Sequence, residues 1–426
     1  MNYLAYDNRF INYSMVAVTL GIIAGTGSLY RYAYNYDIIM FGTLVFMVGI
    51  AYYRHFVPLS NPEYHTRASL NISKYVPGFI MVLFLIAIPV YSDVLNLVDS
   101  YQITYFHIAM VFSAYLIGEK NRLRLFDIYL KIIIVLCLIS LVYFFTALLI
   151  GIPEFVPRYP ILVKPNYSDF YYIWGGHINP YTLIRNQSIF WEPGAFGYHI
   201  ILAMVLAYQQ KKNVFIVILI ITSLTTMSTT VYLFLFCLGF YQFIWGQNRL
   251  RLGLILALSV GGVLLTLWLV FDDFLLPIVV WQVLVSKFSP ESSSFVSYTE
   301  RALFTIEALK LFVDNLFIGA GHYATAFLDV IGHGTTNTSG LAGLIAEFGL
   351  FGVFFIFLYT RFFRIFKLMA IPIALLWLNG EFLQYSPLSL FILVHEGDRL
   401  AMRLFPTKTN HQIEKNKINE SKLTVC

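Results

Sequence analysis

The chain has 426 residues, 58% of them hydrophobic and 12% charged, with a formal net charge of +5. Together with a mean hydropathy of +0.71, this excludes a water-soluble sphere: too few polar groups exist to cover one, so lipid must solvate most of the surface. The basic balance comes from loops and the tail. It fits contact with membrane lipids of anionic head group and does not imply nucleic acid.

About a dozen apolar runs follow one another along the chain. A run of about 20 apolar residues crosses the hydrocarbon core as a helix, since only a helix satisfies its own backbone there. The expected spans are 13–29, 36–53, 76–98, 101–117, 126–150, 196–208, 214–225, 229–245, 252–271, 339–359, 368–378 and 383–394. The run 214–245 is too long for one crossing. Its break falls at the hydroxyl cluster Thr225, Thr226, Ser228, Thr229 and Thr230, read as a cap on a tight turn between two helices. The last run is broken by Asn379, Gly380 and Glu381. The fold class is therefore all-α: a polytopic membrane protein of about 12 transmembrane helices, forming a single transmembrane domain over 1–426.

Lysine and arginine orient the spans. Alternate gaps carry Arg54, Arg67 and Lys74; Lys120, Arg122 and Arg124; Lys211 and Lys212; Arg249 and Arg251; and Arg361, Arg364 and Lys367. These gaps are cytoplasmic, and the N-terminus with Arg9 and the cytoplasmic tail 396–426 join them. No cleavable signal peptide is evident. Cys137, Cys237 and Cys426 support no disulfide framework.

Two outer gaps stand out by length, 151–195 and 272–338, and both carry arginine against the positive-inside pattern. Long loops in compact folds are usually functional or disordered, and the aromatic content of the first argues against disorder. That first loop holds Arg158 and ends in Arg185, Asn186, Gln187, Trp191 and Glu192 ahead of a Pro–Gly pair. Arg185 presents a planar fork suited to two phosphate oxygens. Glu192 can serve as a general base towards a hydroxyl. Trp191, with Tyr171, Tyr172 and Trp174, can stack on sugar rings. The structural alternative is an interfacial aromatic belt in which Arg185 and Glu192 form a bridge.

In the second loop, Tyr298, Glu300 and Arg301 open an amphipathic helix through Leu303, Ile306, Leu309, Leu311 and Phe312. Its apolar face has period 3.6 and lies on the membrane surface or packs on the spans. Arg301 points either to solvent or into a cavity shared with Arg185. Gly319, Ala320, Gly321 and His322 follow, then His333, Asn337, Thr338 and Ser339 at the mouth of the next span. Within spans, Glu347 and Glu381 call for a structural partner or a role in proton coupling. No metal-ligand spacing, phosphate-binding glycine loop or Gly-x-Ser-x-Gly elbow occurs.

Four ordered fragments resemble the O-antigen polymerase and O-antigen ligase superfamily of bacterial membrane glycosyltransferases. They are RNQSIFWEPGAFGY, LTTMSTT, SYTERALFTIEALKLFVDNLFIGAGHY and TSGLAGLIAEFGLFG. They match, in order, an Arg-led loop ending Glu-Pro-x-x-x-Gly, a hydroxyl-rich turn, an Arg-led surface helix closed by Gly-x-Gly, and a Glu-x-Gly-x-x-Gly span opening. The ligases carry a histidine at the mouth of that last span, where this chain has Thr338 before Ser339. The departure favours the polymerase branch, unless His322 or His333 substitutes spatially.

The resemblance implies a GT-C-like enzyme of the bacterial inner membrane that joins undecaprenyl-pyrophosphate-linked oligosaccharide repeat units at the periplasmic face. It implies inversion at the anomeric carbon, no metal and no other cofactor. Arg185, Glu192, Arg301, His322 and His333 are the expected catalytic set. Arg158, Asn186, Gln187, Trp191, Tyr298, Asn337 and Ser339 are the expected substrate-binding set. A chain-length regulator and a flippase are the implied protein partners. The rival readings are a ligase transferring glycan to lipid A-core, and a repeat-unit flippase or other transporter.

Overall fold

The computed structural model describes residues 2–26, 36–56, 101–150, 185–190, 192–226, 228–245, 293–321, 340–379 and 386–404. These residues are all-α, with no strand among them. In chain order the helices are α1 (Asn2–Gly25), α2 (Tyr36–Phe56), α3 (Tyr101–Leu116), α4 (Gly118–Ile150), α5 (Pro193–Gln209), α6 (Asn213–Thr226), α7 (Thr229–Trp245), α8 (Ser293–Asp314), α9 (Gly340–Phe348), α10 (Leu350–Phe362), α11 (Ala370–Asn379) and α12 (Pro387–Leu404). A 3-10 turn, Arg364–Met369, joins α10 to α11. The expected spans 76–98 and 252–271, and most of both long loops, lie outside the described residues.

The centre of the bundle is α5. Glu192 precedes it in extended backbone and Pro193 opens its first turn with a preset φ. Every residue from Ala195 to Ala207 is then buried, as expected of a helix that is apolar all round. Its neighbours are α4, α6 and α7. Outside them, α1 packs on α2 and α4, while α12 packs on α3 and α10. Lys211, in left-handed backbone with φ 56, turns the chain from α5 into α6.

Three elements differ from the sequence reading. The basic stretch read as a loop, Lys120–Arg124, is helical: it forms the start of the 33-residue α4, since its charged side chains can line the end of a helix as readily as a loop. This is the one described helix long and apolar enough to cross a membrane, by length and composition. The expected single span 339–359 is two helices, α9 and α10, broken at Gly349 with φ 58. The 18-residue α12 continues past the apolar run, carrying residues 396–404 of the expected tail as ordered helix.

Among the described residues, large apolar side chains stand on the outside of the bundle. Val142, Leu149, Val214, Phe236 and Phe243 are each at least two-thirds exposed, on faces of α4, α6 and α7 turned from the core. Inside, Tyr129 donates to His199 Nδ1 at 2.8 Å, and His199 Nε2 donates to the Thr26 carbonyl at 2.7 Å. This fully buried histidine thereby ties α4, α5 and the end of α1 into one unit.

Candidate functional site

The segment Arg185–Phe190 enters the bundle beside the break between α6 and α7, and hydrogen bonds hold it there. Asn186 N–H donates to the Thr225 carbonyl at 3.0 Å. The Asn186 side-chain amide donates to Ser140 Oγ on α4 at 3.2 Å and to Thr225 Oγ1 at 2.9 Å. Its own oxygen accepts from Ser188 N–H at 3.2 Å, a local turn of the kind asparagine favours. Ser188 completes the turn in left-handed backbone, φ 51. Asn186 is buried, and every polar group of its side chain has a partner.

The hydroxyl cluster makes this docking possible. Ser223, Thr225 and Thr226 donate back to carbonyls of Leu219, Thr222 and Ser223 near the end of α6. Their oxygens remain free to accept, so the helix end presents a polar floor. Arg185 Nε donates to the Thr226 carbonyl at 3.3 Å on that floor. The guanidinium is therefore held at the α6 terminus by its own backbone neighbour and by the carbonyl it caps. Two atoms of the segment, Gln187 Oε1 and Ser188 Oγ, are buried without a hydrogen-bond partner.

Glu192 follows directly as the residue before α5, and its carbonyl accepts from Phe196 N–H at 3.2 Å. Arg185 and Asn186 thus sit on the end of α6, and Glu192 stands at the start of α5. Close approach behind them depends on Gly197: a Cβ there would stand 2.3 Å from Val231 Cγ2 on α7.

A second contact joins the other two fragments. Helix α8 packs on α9 through Phe304 and Ala308 against Ala342 and Ala346. The chain after α8 then closes on the α9–α10 break. Ala320 N–H donates to the Ala346 carbonyl and Leu350 N–H to the Leu316 carbonyl, each at 2.8 Å. Gly319 (φ 85) and Gly349 (φ 58) permit this: added Cβ atoms would lie 2.1 Å from the Glu347 carbonyl oxygen and 2.4 Å from that of Leu316. Gly319 and Gly349 thus serve backbone packing.

Tyr298 and Arg301 stand on α8, Arg301 one turn ahead of Phe304; their side chains lie outside the described ones, as do the residues Arg158, Trp191, His322, His333, Asn337 and Ser339. The sequence reading missed Ser140 and undervalued Thr225 and Thr226. A lone serine in an apolar run carries no signal; the threonine cluster did, and was read as a turn cap alone. Glu347 is buried. No group of three His, Cys, Asp or Glu side chains that could hold a metal ion occurs among the described residues. No family model, curated protein or solved structure matches this chain.

Proposed function

We propose that the chain is a multi-pass glycosyltransferase of the bacterial inner membrane that polymerises undecaprenyl-pyrophosphate-linked oligosaccharide repeat units at the periplasmic face. The observation that carries this reading is the anchoring of Arg185 at the α6 break by Asn186, Thr225 and Thr226. Irregular backbone at membrane depth is tolerated where it is buried or lines a cavity. A guanidinium fixed there suits a lipid-carried diphosphate lying at the bilayer surface. The apolar surface of α4, α6 and α7 supports the lipid setting, and the polymer grows from membrane-held substrates alone.

The acceptor sugar hydroxyl attacks the anomeric carbon of the donor chain, and its proton passes to a base. The bond from that carbon to the pyrophosphate oxygen breaks with inversion, and undecaprenyl pyrophosphate departs with the electron pair. Arg185 stabilises the charge that develops on the departing diphosphate, with Arg301 as the second cation. Preorganised donors of this kind are often the largest catalytic contribution. Glu192, seven residues after Arg185 and directly before α5, is the proposed base, with His322 and His333 as the other candidates. A chain-length regulator and a flippase are the proposed partners.

The test uses purified protein in vesicles with lipid-linked repeat units, read as a glycan ladder. Wild-type protein extends the ladder and an Arg185→Ala variant of equal stability does not. Equal rates for the two remove this mechanism. Transfer to lipid A-core without chain extension identifies a ligase instead.

A further inference from the structure

A second cluster of charge lies far from Arg185. It surrounds Arg122 near the start of α4, roughly 27 Å along that helix from Ser140 at 1.5 Å per residue. Arg122 is fully buried, donates to the Ala114 carbonyl at 3.0 Å and pairs with Asp398 of α12. Around this pair stand Arg361 at the end of α10, Arg364 in the 3-10 turn, and Arg399 and Arg403 of α12.

Among the described residues the cations are incompletely matched. Five guanidiniums face three carboxylates, those of Glu119, Glu396 and Asp398. Glu396, itself buried, is shared between Arg361 at 3.5 Å and Arg399 at 3.6 Å, both longer than a charge-assisted hydrogen bond. Arg361 Nη2 is shut off from solvent with no hydrogen-bond partner, and the equally enclosed Nε has only that long ion-pair contact with Glu396. Neither Arg364 nor Arg403 has an ion-pair partner among the described residues. Burial, then the like charge of Arg399, holds the Arg364 pKa below the usual arginine value; Arg403 and Arg361 add to the effect and Glu396 opposes it.

Such an arrangement is costly by itself. Enclosed guanidinium nitrogens without acceptors lose hydration, and neighbouring like charges repel. Contacts with water at a bilayer surface would need neither enclosure nor convergence of three elements on one point. An anion with several acceptor oxygens relieves both costs at once, and a planar fork matches a phosphate in particular.

We propose that this end of the bundle is a binding site for a phosphate group, held between Arg361 and Arg364 on one side and Arg399 and Arg403 on the other. Glu396 and Asp398 keep the inner guanidiniums in place, and the outer pair of Arg364 and Arg403 supplies the free charge. The phosphate belongs either to an anionic phospholipid head group or to a soluble phosphate. The site does not depend on the glycosyltransferase reading, since it shares no residue with the Arg185 segment.

The test is thermal melting of the full chain, purified in dodecyl maltoside without phosphate, on titration with three probes. These are sodium phosphate, dihexanoyl phosphatidylglycerol and, as a phosphate-free control, dihexanoylglycerol. One or both phosphate probes raise the melting temperature of wild-type protein, and the control does not. In an Arg364→Gln/Arg403→Gln variant the apparent affinity falls roughly tenfold or more, the ratio expected for lost charge-assisted contacts. An Arg185→Ala variant keeps the full shift. Response to sodium phosphate identifies a soluble anion as a sufficient ligand, and response to phosphatidylglycerol alone identifies the lipid; either supports the site. No shift with either phosphate probe, or equal shifts in wild-type and Arg364→Gln/Arg403→Gln protein, overturns it. A control shift as large as that of phosphatidylglycerol also overturns it.

Discussion

Asn186 donates its side-chain amide to Thr225 Oγ1 at 2.9 Å across 39 positions of sequence, so the loop that carries Arg185 rests on the broken end of α6. The contact lies in the interior, where a lost partner is expensive. The placement of the guanidinium is therefore a property of the bundle as a whole.

Asn186→Asp tests that anchoring. The new carboxylate would be buried, and both Ser140 and Thr225 already commit their hydroxyl protons to the carbonyls of Cys137 and Thr222. Removing the amide donors leaves buried oxygens facing a charge, a cost of roughly 1–3 kcal/mol or more. A lowered melting temperature together with lost polymerisation is expected. A variant that melts like wild type refutes the anchoring.

Arg185→Lys separates charge from geometry. A lysine keeps the cation but cannot cap the Thr226 carbonyl and chelate two phosphate oxygens in the same plane. Turnover of lipid-linked units is expected to fall about 100-fold, approaching the loss of about 100- to 1,000-fold for removal of a preorganised donor, with the melting temperature little changed. Recovery of wild-type turnover in the lysine variant contradicts a bidentate role.

Gly319→Ala and Gly349→Ala test the closure of α8 on the α9–α10 break. Both positions have positive φ, and each new Cβ would overlap a backbone carbonyl within 2.4 Å. Each variant is expected to lose stability by a few kcal/mol, by the combined backbone strain and overlap. Gly42→Ala on α2, where nothing lies within 4 Å of the new Cβ, provides the contrast. It is expected to be neutral or stabilising by up to about 1 kcal/mol. Melting of the three proteins side by side decides the matter.

His395 predicts a pH dependence. It follows the apolar half of α12, lies edge-on to Phe126, and is held neutral. Burial, then Arg122, Arg399 and Arg364, push its pKa down to about 3 from 6.5. An unfolded chain binds a proton at this position below pH 6.5 and the folded chain does not. Its contribution is thus present above pH 6.5 and is lost as pH falls from 6.5 towards 3. Melting temperature is expected to decline on acidification from pH 7 to pH 5, and a His395→Phe variant to show a shallower decline. Parallel pH profiles for the two proteins remove the assignment.

Much of the architecture was legible in the chain. The runs 36–53, 101–117 and 229–245 appear as α2, α3 and α7 with ends displaced by three residues at most. Apolar length and turn chemistry act locally, so a linear reading finds them. The α9–α10 break was not legible. Gly349 stands in an apolar run like many other glycines, and its left-handed backbone is imposed by Leu316 and Gly319, which arrive from a distant segment.

Composition by itself determined that most of the surface is apolar and that polar chemistry concentrates in a few segments, because hydropathy sums over residues without regard to their positions. Only the tertiary structure decided that Arg185 and Asn186 meet Thr225 and Thr226, that Ser140 completes their seat, and that Arg122, Arg361 and Arg399 share three carboxylates at the far end. Apart from Glu396 with Arg399 on one helix, those pairings join residues tens to hundreds of positions apart. Hydrogen bonds and ion pairs act over a few ångströms in space, a distance that order along the chain does not specify.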